Sequence, residues 1–264
     1  MSVVPCGVGA EWLQPIDPAA VAATPGSWAK VSTVIYVRLA DDRAPDANVL
    51  VMKDVSGFAT AFAGDSFYVE GVDIRGGTRC VRAQIGTQVA LARVSMRYGR
   101  LGGVSLQNLT RSTLLECNVF GNAADGIEYT TTARGLEVGC TSSHNGNVIG
   151  APGNIHNGST SHGACSIIRV DGTYLDNQGP NLADVLASKS LNVRCRASGT
   201  SATQASQRVG VWSQGNVWLD RCDVTGNPEL DLKAQDVGNT IVHYSTRFAT
   251  AGGDGVAGIR AGRG

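Results

Sequence analysis

The chain has 264 residues, and its 22 basic and 22 acidic side chains leave no formal net charge at pH 7. This balance argues against unspecific binding of nucleic acid, which requires a basic excess. The apolar runs fall short of the roughly 18 residues that a membrane-spanning helix requires, so we expect no membrane span. Glycine is abundant and charged residues are few, which favours an all-β chain with frequent tight turns.

The N-terminal 45 residues do not follow the pattern of the rest of the chain. No signal peptide is visible, because MSVVPCGVGAEWLQPID has neither a charged region nor an apolar one. The Pro- and Ala-rich stretch that follows predicts an irregular cap over residues 1–45. Residues 32–55 (STVIYVRLADDRAPDANVLVMKDV) predict two strands around a turn that lead into the next region.

Short apolar runs recur between residues 46 and 250 with a period of about 23 residues, and a Gly-rich tail follows at 251–264. Two or three short strands per period leave no room for a crossover helix, and stacked coils bury each other's apolar faces. The predicted fold is therefore a right-handed parallel β-helix, a solenoid of about eight visible coils. The first and third positions of each run are predicted to be buried. The runs are FYVEG at 67, VALAR at 89, TLLEC at 113, LEVGC at 136, IRVDG at 168, LNVRC at 191, VWLDR at 217 and TIVHY at 240.

Cysteine recurs at nearly the same place in four of these runs. Cys117, Cys140 and Cys195 occupy the fifth position, and Cys222 comes one residue later. Equivalent positions in stacked coils lie about 4.8 Å apart. We therefore expect a buried column of free thiols at one corner of the solenoid.

The fourth position of each run is predicted to face outward and to form a column, and its last four members, Asp171, Arg194, Asp220 and His243, alternate in potential charge. One interpretation is a column of surface ion pairs that fixes the register of the coils. The other is a substrate groove in which Asp171, Asp220 and Arg194 act as acid, base and anion clamp. The second position of each run, also predicted to face outward, contributes Arg169 as a substrate contact and Trp218 as a platform for stacking a sugar ring or as a side chain that a loop covers.

Three of the four histidines, His144, His156 and His162, lie within residues 142–170. This coil is 32 residues long instead of 23, so about nine residues are inserted within 142–165. Insertions in solenoids leave the stacked core as loops on one face. We therefore expect the insertion to form one wall of a cleft, with His144 and His156 as substrate contacts.

If the insertion precedes the second strand of its coil, His162 falls between Glu128 and Asp184 in an outward column. A histidine between two carboxylates is a candidate general acid or base near neutral pH. Alternatively, the carboxylates hold a divalent cation such as Ca²⁺ together with Asn154 or Asn157. A third interpretation is that the histidines cap turns and bind loop carbonyls.

Several stretches resemble phage and prophage tailspike-type proteins of the pectate-lyase-like, right-handed parallel β-helix superfamily. The resemblance covers roughly residues 28–250. It implies a polysaccharide partner bound along the solenoid, a homotrimer, and an extracellular or virion-associated location. The stretches are WAKVSTVIYVRLADDRAPDANVLV, FYVEGVDIRGG, NGSTSHGACSIIRVDGTYLDNQGPNLADV and VWLDRCDVTGN.

Two functions follow as hypotheses. The first is cleavage of an extended glycan, with uronate-containing polymers among the candidate substrates. Hydrolysis of a glycosidic bond requires two carboxyl groups about 5 to 9.5 Å apart, and a lyase requires a base and a cation that stabilises the resulting anion. The second is a non-catalytic tailspike-type segment that adheres to glycan. Sequence patterns alone leave both open.

Overall fold

A computed structural model gives the structure of the chain. It describes residues 2–5, 14–32, 34–44, 49–52, 58–59, 66–85, 88–146, 156–200, 208–235, 240–252 and 259–262.

Three parallel sheets, which we call sheets 1, 2 and 3, form the body of the molecule, and each coil passes from sheet 3 to sheet 1 and then to sheet 2. Within the described residues, sheet 1 has nine strands: Ser66–Glu70, Gln88–Ala92, Arg111–Leu115, Arg134–Val138, Ser166–Val170, Lys189–Val193, Asn216–Asp220, Thr240–Tyr244 and Ile259–Ala261. Sheet 2 has seven: Asp73–Arg75, Ser95–Arg97, Asn118–Phe120, Thr141–Ser143, Thr173–Leu175, Arg196–Ser198 and Asp223–Val224. Sheet 3 has nine: Phe58–Ala59, Val81–Gln84, Val104–Gln107, Ile127–Thr131, Ser159–Gly163, Leu182–Val185, Val209–Ser213, Leu230–Ala234 and Ala251–Gly252.

The predicted parallel β-helix is confirmed. Every strand of sheets 1, 2 and 3 pairs with its counterpart one coil away, as Leu91 pairs with Leu114 across sheet 1. Seven coils contribute a strand to all three sheets in the described part of the chain. The period of about 23 residues is therefore the length of one coil.

The register of sheet 1 is shifted by one residue from the predicted register in the third to sixth coils and again in the eighth. Ser112 pairs with Val89, so Ser112 and its equivalents point inward. Leu136, Ile168 and Leu191, which we predicted to be buried, point outward, and Ile168 is 44% exposed. The apolar-inside rule fails in the fourth to sixth coils because polar side chains take inward positions of sheet 1 there. Glu137, Arg169 and Asn192 occupy these positions.

The corner between sheets 1 and 2 is a two-residue turn with a repeated conformation. Its first residue has a positive φ in coil after coil, and most of these residues are not glycine. Its second residue is a buried cysteine in four coils, which stack as predicted. The first residues include Arg93, Glu116, Gly139, Asp171, Arg194 and Arg221.

The corner between sheets 2 and 3 contains a ladder of buried asparagines. The Asn122 amide donates to Asn145 Oδ1 at 2.9 Å, and the Asn145 amide donates to Asn177 Oδ1 at 2.9 Å. The same acceptor oxygens also receive the backbone N–H groups of Asn122 and Asn145. Because each amide satisfies backbone groups of a turn that has no regular partner, the ladder joins consecutive coils.

The N-terminal segment contains the two strands predicted within residues 32–55, at Val34–Arg38 and Val49–Met52. A 3-10 helix at Pro18–Ala23 precedes an antiparallel hairpin formed by Ser27–Val31 and Val34–Arg38. The short strand Gln14–Pro15 runs parallel to Ser27–Val31. Val49–Met52 pairs with Ser2–Pro5, and the two strands within 32–55 therefore have different partners instead of pairing with each other.

The interior of the solenoid contains two apolar clusters in the described residues, and a third, formed by Trp28 and Leu39, lies in the N-terminal segment. The first extends from Ile74 to Ile167 and the second from Tyr174 to Ile241, with Ile259 packed against it. Buried polar side chains of Arg169 and its neighbours lie where the two clusters meet. No helix within the described ranges has the length and apolar character needed to cross a membrane.

Candidate functional site

Two of the predicted site residues, Arg169 and Asp184, lie inside the solenoid and not on its surface. Both are fully buried, and Arg169 Nη1 is 3.1 Å from Asp184 Oδ2. Arg169 Nε is 3.4 Å from Glu137 Oε1 on the next coil. Neither residue can contact a polymer outside the coils. The predictions of a substrate contact at Arg169 and a catalytic group at Asp184 are wrong, because both side chains lie on the inner faces of their strands and not on the predicted outer faces.

Hydroxyl and amide groups complete this buried cluster. Burial alone would lower the pKa of Arg169, but the charges of Asp184 and Glu137 outweigh burial and raise the pKa above its ordinary value. The cluster is a satisfied network of the kind that can stand in a core. Its neutral members, by their hydrogen bonds, are Ser159, Ser161, Tyr174, Ser190 and Asn192.

The Glu128–His162–Asp184 stack is therefore also wrong. Glu128 pairs in register with Thr160, and Asp184 pairs with Ser161 and points inward. His162 stands one residue further on, in register with Thr130. It is half-buried, and its Nε2 lies 3.2 Å from Thr160 Oγ1.

The other two histidines have unlike surroundings. His144 is exposed at the corner between sheets 2 and 3, where its ring lies 5.2 Å from the ring of Phe120. Its Nε2 is 4.0 Å from Asp176 Oδ2. His156 is buried at the same corner of the solenoid, and burial lowers its pKa. His156 is therefore a neutral side chain packed between coils at pH 7.

The predicted insertion has a defined place in the fold. Ser143 pairs with Phe120 and Ser159 pairs with Ile127, so nine extra residues separate sheets 2 and 3 in this coil. They are residues 147–155, which lie outside the described residues, as does Asn154, the proposed cation ligand. The insertion thus precedes the sheet 3 strand, as predicted.

The charged column at the border of sheet 1 consists of ion pairs. Arg194 donates to both oxygens of Asp171 at 2.7 and 2.8 Å, and Arg221 donates to Asp220 at 2.7 Å. The hydrogen bond from Arg194 lowers the pKa of Asp171, and that from Arg221 lowers the pKa of Asp220. A carboxyl group with a lowered pKa is a poor proton donor, so the arrangement favours the ion-pair interpretation over an acid–base pair.

Trp218 does face outward on sheet 1, as predicted. It lines a groove of about 510 Å³ together with Leu136, Ile168 and Leu191. This groove lies on a different sheet from Glu128 and His162.

The outer face of sheet 3 brings together Asp125, Glu128 and Arg79. Arg79 Nη2 is 3.2 Å from Glu128 Oε2, and both side chains are about four-fifths buried. Asp125 precedes the same strand at the corner from which the insertion leaves. Burial, together with the charge of Glu128, raises the pKa of Asp125 to about 7, although the Asn157 N–H and the Arg79 charge oppose this shift. Asp125 is therefore an acidic side chain that can donate a proton near neutral pH.

Local sequence explains this placement. Ile127 and Tyr129 point into the core, so alternation directs Glu128 outward. Gly126 lets the chain turn closely beside the next coil, since a Cβ there would lie 2.1 Å from Ser142 Oγ. The Asn157 N–H donates to Asp125 Oδ1 at 2.6 Å and fixes the carboxyl group at the corner.

Half-buried His162 adds a titratable group to the same face. Burial lowers its pKa, and the charges of Glu128 and Asp184 partly oppose the shift. A neutral imidazole can accept a proton. In the part of the chain that the structure describes, no group of three or more His, Cys, Asp or Glu side chains is arranged to hold a metal ion.

Sequence reasoning missed Asp125 and Arg79. Asp125 lies in the stretch FGNAADG, whose glycines and asparagine are typical of a turn, and it stands three positions before Glu128. An acidic residue at a solenoid corner beside an outward carboxylate was the available signal. Arg79 carried none, because its contact with Glu128 spans 49 residues.

Comparison with known proteins adds a general likeness of fold. No protein family model and no curated protein matches the sequence. The crystal structure of the pectate lyase Pel9A is similar, with 12% sequence identity and a TM-score of 0.45, over 93% of this chain and 72% of that chain. At this level of similarity, the assignment of site residues rests on the geometry of the present chain alone.

Proposed function

We propose that this protein binds an extended polysaccharide on the outer face of sheet 3 and cleaves it with Asp125 and Glu128. The observation that carries the proposal is a pair of carboxyl groups in unlike surroundings on one face. Asp125 has a pKa of about 7, whereas Glu128 is paired with Arg79. Two carboxyl groups whose environments separate their roles are typical of acid–base sites on glycans.

In a hydrolase, the protonated Asp125 donates a proton to the glycosidic oxygen as the bond breaks. The Glu128 carboxylate then activates water or attacks the sugar carbon, depending on its separation from Asp125. Arg79 acts as a positioning residue, because its guanidinium group holds the Glu128 carboxylate in place.

In a lyase, the same face supplies other roles. Neutral His162 or Glu128 removes the proton next to a uronate carboxylate, and Arg79 balances the negative charge that develops. Asp125 then protonates the leaving oxygen. The two reactions differ in product, since only the lyase yields an unsaturated sugar.

A screen of neutral and uronate-containing polysaccharides tests the proposal. Each reaction is followed by ultraviolet absorbance for unsaturated product and by a reducing-end assay for chain cleavage. We expect new reducing ends with at least one polymer at pH 6 to 7. Absence of product with every polymer, together with retention on one of them, would contradict cleavage.

Two isosteric variants assign the residues. Asp125→Asn and Glu128→Gln should each lower the rate at least about 100-fold, which is the usual effect of losing a general acid or base. Glu116→Gln is the matched control, because Glu116 is an exposed acid at the border of sheet 1. Equal activity of all three variants would remove Asp125 and Glu128 from the reaction.

The second candidate function is a non-catalytic, tailspike-type segment that adheres to glycan outside a cell or on a virion. The ion pairs of Asp171 with Arg194 and of Asp220 with Arg221 favour it, because they occupy the charged groups of the border of sheet 1. In this case, Trp218 or His144 stacks on sugar, and Glu128→Gln leaves retention on the polysaccharide unchanged.

A further inference from the structure

The outer face of sheet 1 carries apolar side chains where a solvated sheet normally carries polar ones. Two columns run across consecutive coils, about 4.8 Å from one side chain to the next. Ile168 is 44% exposed and Leu191 is 40% exposed. The central column, at the middle of each strand, is Leu136, Ile168, Leu191 and Trp218, and the second is Leu115, Val138, Val170 and Val193. We call these eight residues the apolar strip.

The apolar strip is the counterpart of the buried polar cluster. In these coils, Glu137, Arg169 and Asn192 take the inward positions of sheet 1, so their apolar neighbours face outward. Apolar surface is unfavourable to expose to water, and contiguous exposed patches of this kind mark contact surfaces. The strip therefore has the character of a contact surface.

The shape and chemistry of the strip favour a protein surface over a sugar chain. A sugar site requires hydrogen-bonding groups that converge on hydroxyls. Among the eight residues of the strip, only Trp218 has a polar side-chain atom. The face is also broad: nine strands about 4.8 Å apart, each of about five residues, present roughly 600 Å². A stable interface buries about 800 Å² on each partner, which this face and its borders approach.

The charged residues at the two borders of sheet 1 favour one orientation of the partner. Arg111, Arg134 and Lys189 line the border where the strands of sheet 1 begin, and none of them forms an ion pair with another described residue. The opposite border, where the strands end, carries Glu70, Glu116, Asp171 and Asp220, and Arg93, Arg194 and Arg221 pair with them there, so that these residues leave an excess of one acidic charge. A second copy whose strands run the opposite way places this ion-paired, slightly acidic border against the basic one. A copy whose solenoid axis ran in the opposite direction would instead place the two basic borders against each other.

We propose that the outer face of sheet 1 is an interface between two copies of this chain, packed face to face with their solenoid axes parallel. The two-fold axis then runs along the central column, so each residue of that column meets its own counterpart. The inference is independent of the cleavage that we assign to sheet 3.

Light scattering during size-exclusion chromatography of the whole chain tests the interface. We expect a mass twice the 27.4 kDa of the chain. Leu191→Glu should weaken self-association at least about 100-fold, because it buries two carboxylates against each other. Leu186→Glu is the matched control, since Leu186 is 63% exposed in the turn between sheets 3 and 1 and should change nothing. Circular dichroism checks that both variants fold.

Cross-linking tests the geometry even if Leu191→Glu fails to fold. Ile168→Cys should form a disulfide with its counterpart in the second copy when copper phenanthroline is added. Arg134→Cys, at the border, should not exceed the wild-type background. A monomer at all concentrations, a trimer, or cross-linking at position 134 but not 168 would overturn the proposal. So would a monomer in which Leu191→Glu abolishes retention on polysaccharide, because the strip would then hold glycan.

Discussion

At the scale of single residues, the surroundings of Asp125 predict an unusual dependence of stability on pH. Its pKa rises from 3.8 in the unfolded chain to about 7 in the fold. The folded state therefore binds more protons than the unfolded state between these values. Stability contributed by this carboxyl is present at low pH and is lost as the pH rises through 7.

Asp125→Asn should remove this loss, because an amide keeps the acceptor for the Asn157 N–H and has no charge to desolvate. The variant should gain stability over the wild type between pH 4 and pH 8, by at most about 4 kcal/mol at the upper end. Urea unfolding of both proteins at several pH values measures the gain. A difference that stays constant with pH would show that Asp125 is not the group that titrates.

Arg169 is the second residue with a large expected effect. Arg169→Met leaves the Glu137 and Asp184 carboxylates buried without a cation, which should cost about 3 to 5 kcal/mol at pH 8. Arg194→Met is the matched control, since the exposed pair with Asp171 should contribute little to the melting temperature.

The same residues show where prediction from sequence ended. A slip of one residue exchanges the two faces of a strand, and this slip placed Arg169 and Asp184 outside. The slip arose because the apolar residues of a run were assigned to the core, whereas Ile168 and Leu191 are exposed. The spacing of the apolar residues did not reveal that the inner and outer faces of these strands are exchanged. The positions of the cysteines did indicate the correct register. Cys222 aligns with Cys195 only in the register that the structure shows.

At the scale of the coil, the asparagine ladder holds the corner between sheets 2 and 3. Asn145→Ala removes an acceptor from the Asn122 backbone and amide groups and a donor from Asn177. Because these groups are buried, we expect a loss of about 2 to 4 kcal/mol in the free energy of unfolding. Asn118→Ala, on the exposed side of sheet 2, should lose far less in the same thermal or urea denaturation.

The ladder was visible in the sequence and was overlooked. Asn122, Asn145 and Asn177 are separated by the same intervals as the coils that contain them. A polar residue that keeps the coil interval is a structural signal as strong as an apolar one, because a corner requires partners for its backbone groups.

The inserted segment is the second feature at this scale. Gly146 and His156 lie side by side, since a Cβ on Gly146 would be 2.4 Å from His156 Cβ. Deleting residues 147–155 should therefore join the coil directly and keep the β-sheet circular dichroism and the melting temperature within a few degrees. A molten or aggregated product would contradict this expectation. Comparing the activity of the shortened chain with that of the shortened chain carrying Asp125→Asn separates loss of activity from loss of fold.

At the scale of the whole molecule, the sequence was sufficient for the architecture and insufficient for the site. The period, the turn residues and the absence of helical spacing all point to stacked coils, because one coil repeats the same physical requirements many times. The site has no such repetition. Asp125, Glu128 and Arg79 meet once, across coils, and the contact between Arg79 and Glu128 has no counterpart at the coil interval.

The buried cluster of Glu137, Arg169 and Asp184 has a consequence for how the molecule comes apart. It separates the apolar interior into two blocks, one on each side. In a solenoid, each coil is stabilised mainly by its immediate neighbours. We expect the two blocks to unfold as separate cooperative units, with the charged layer as the boundary between them. Once this boundary is disrupted, the coils at one end of the chain can unfold while those at the other end remain folded.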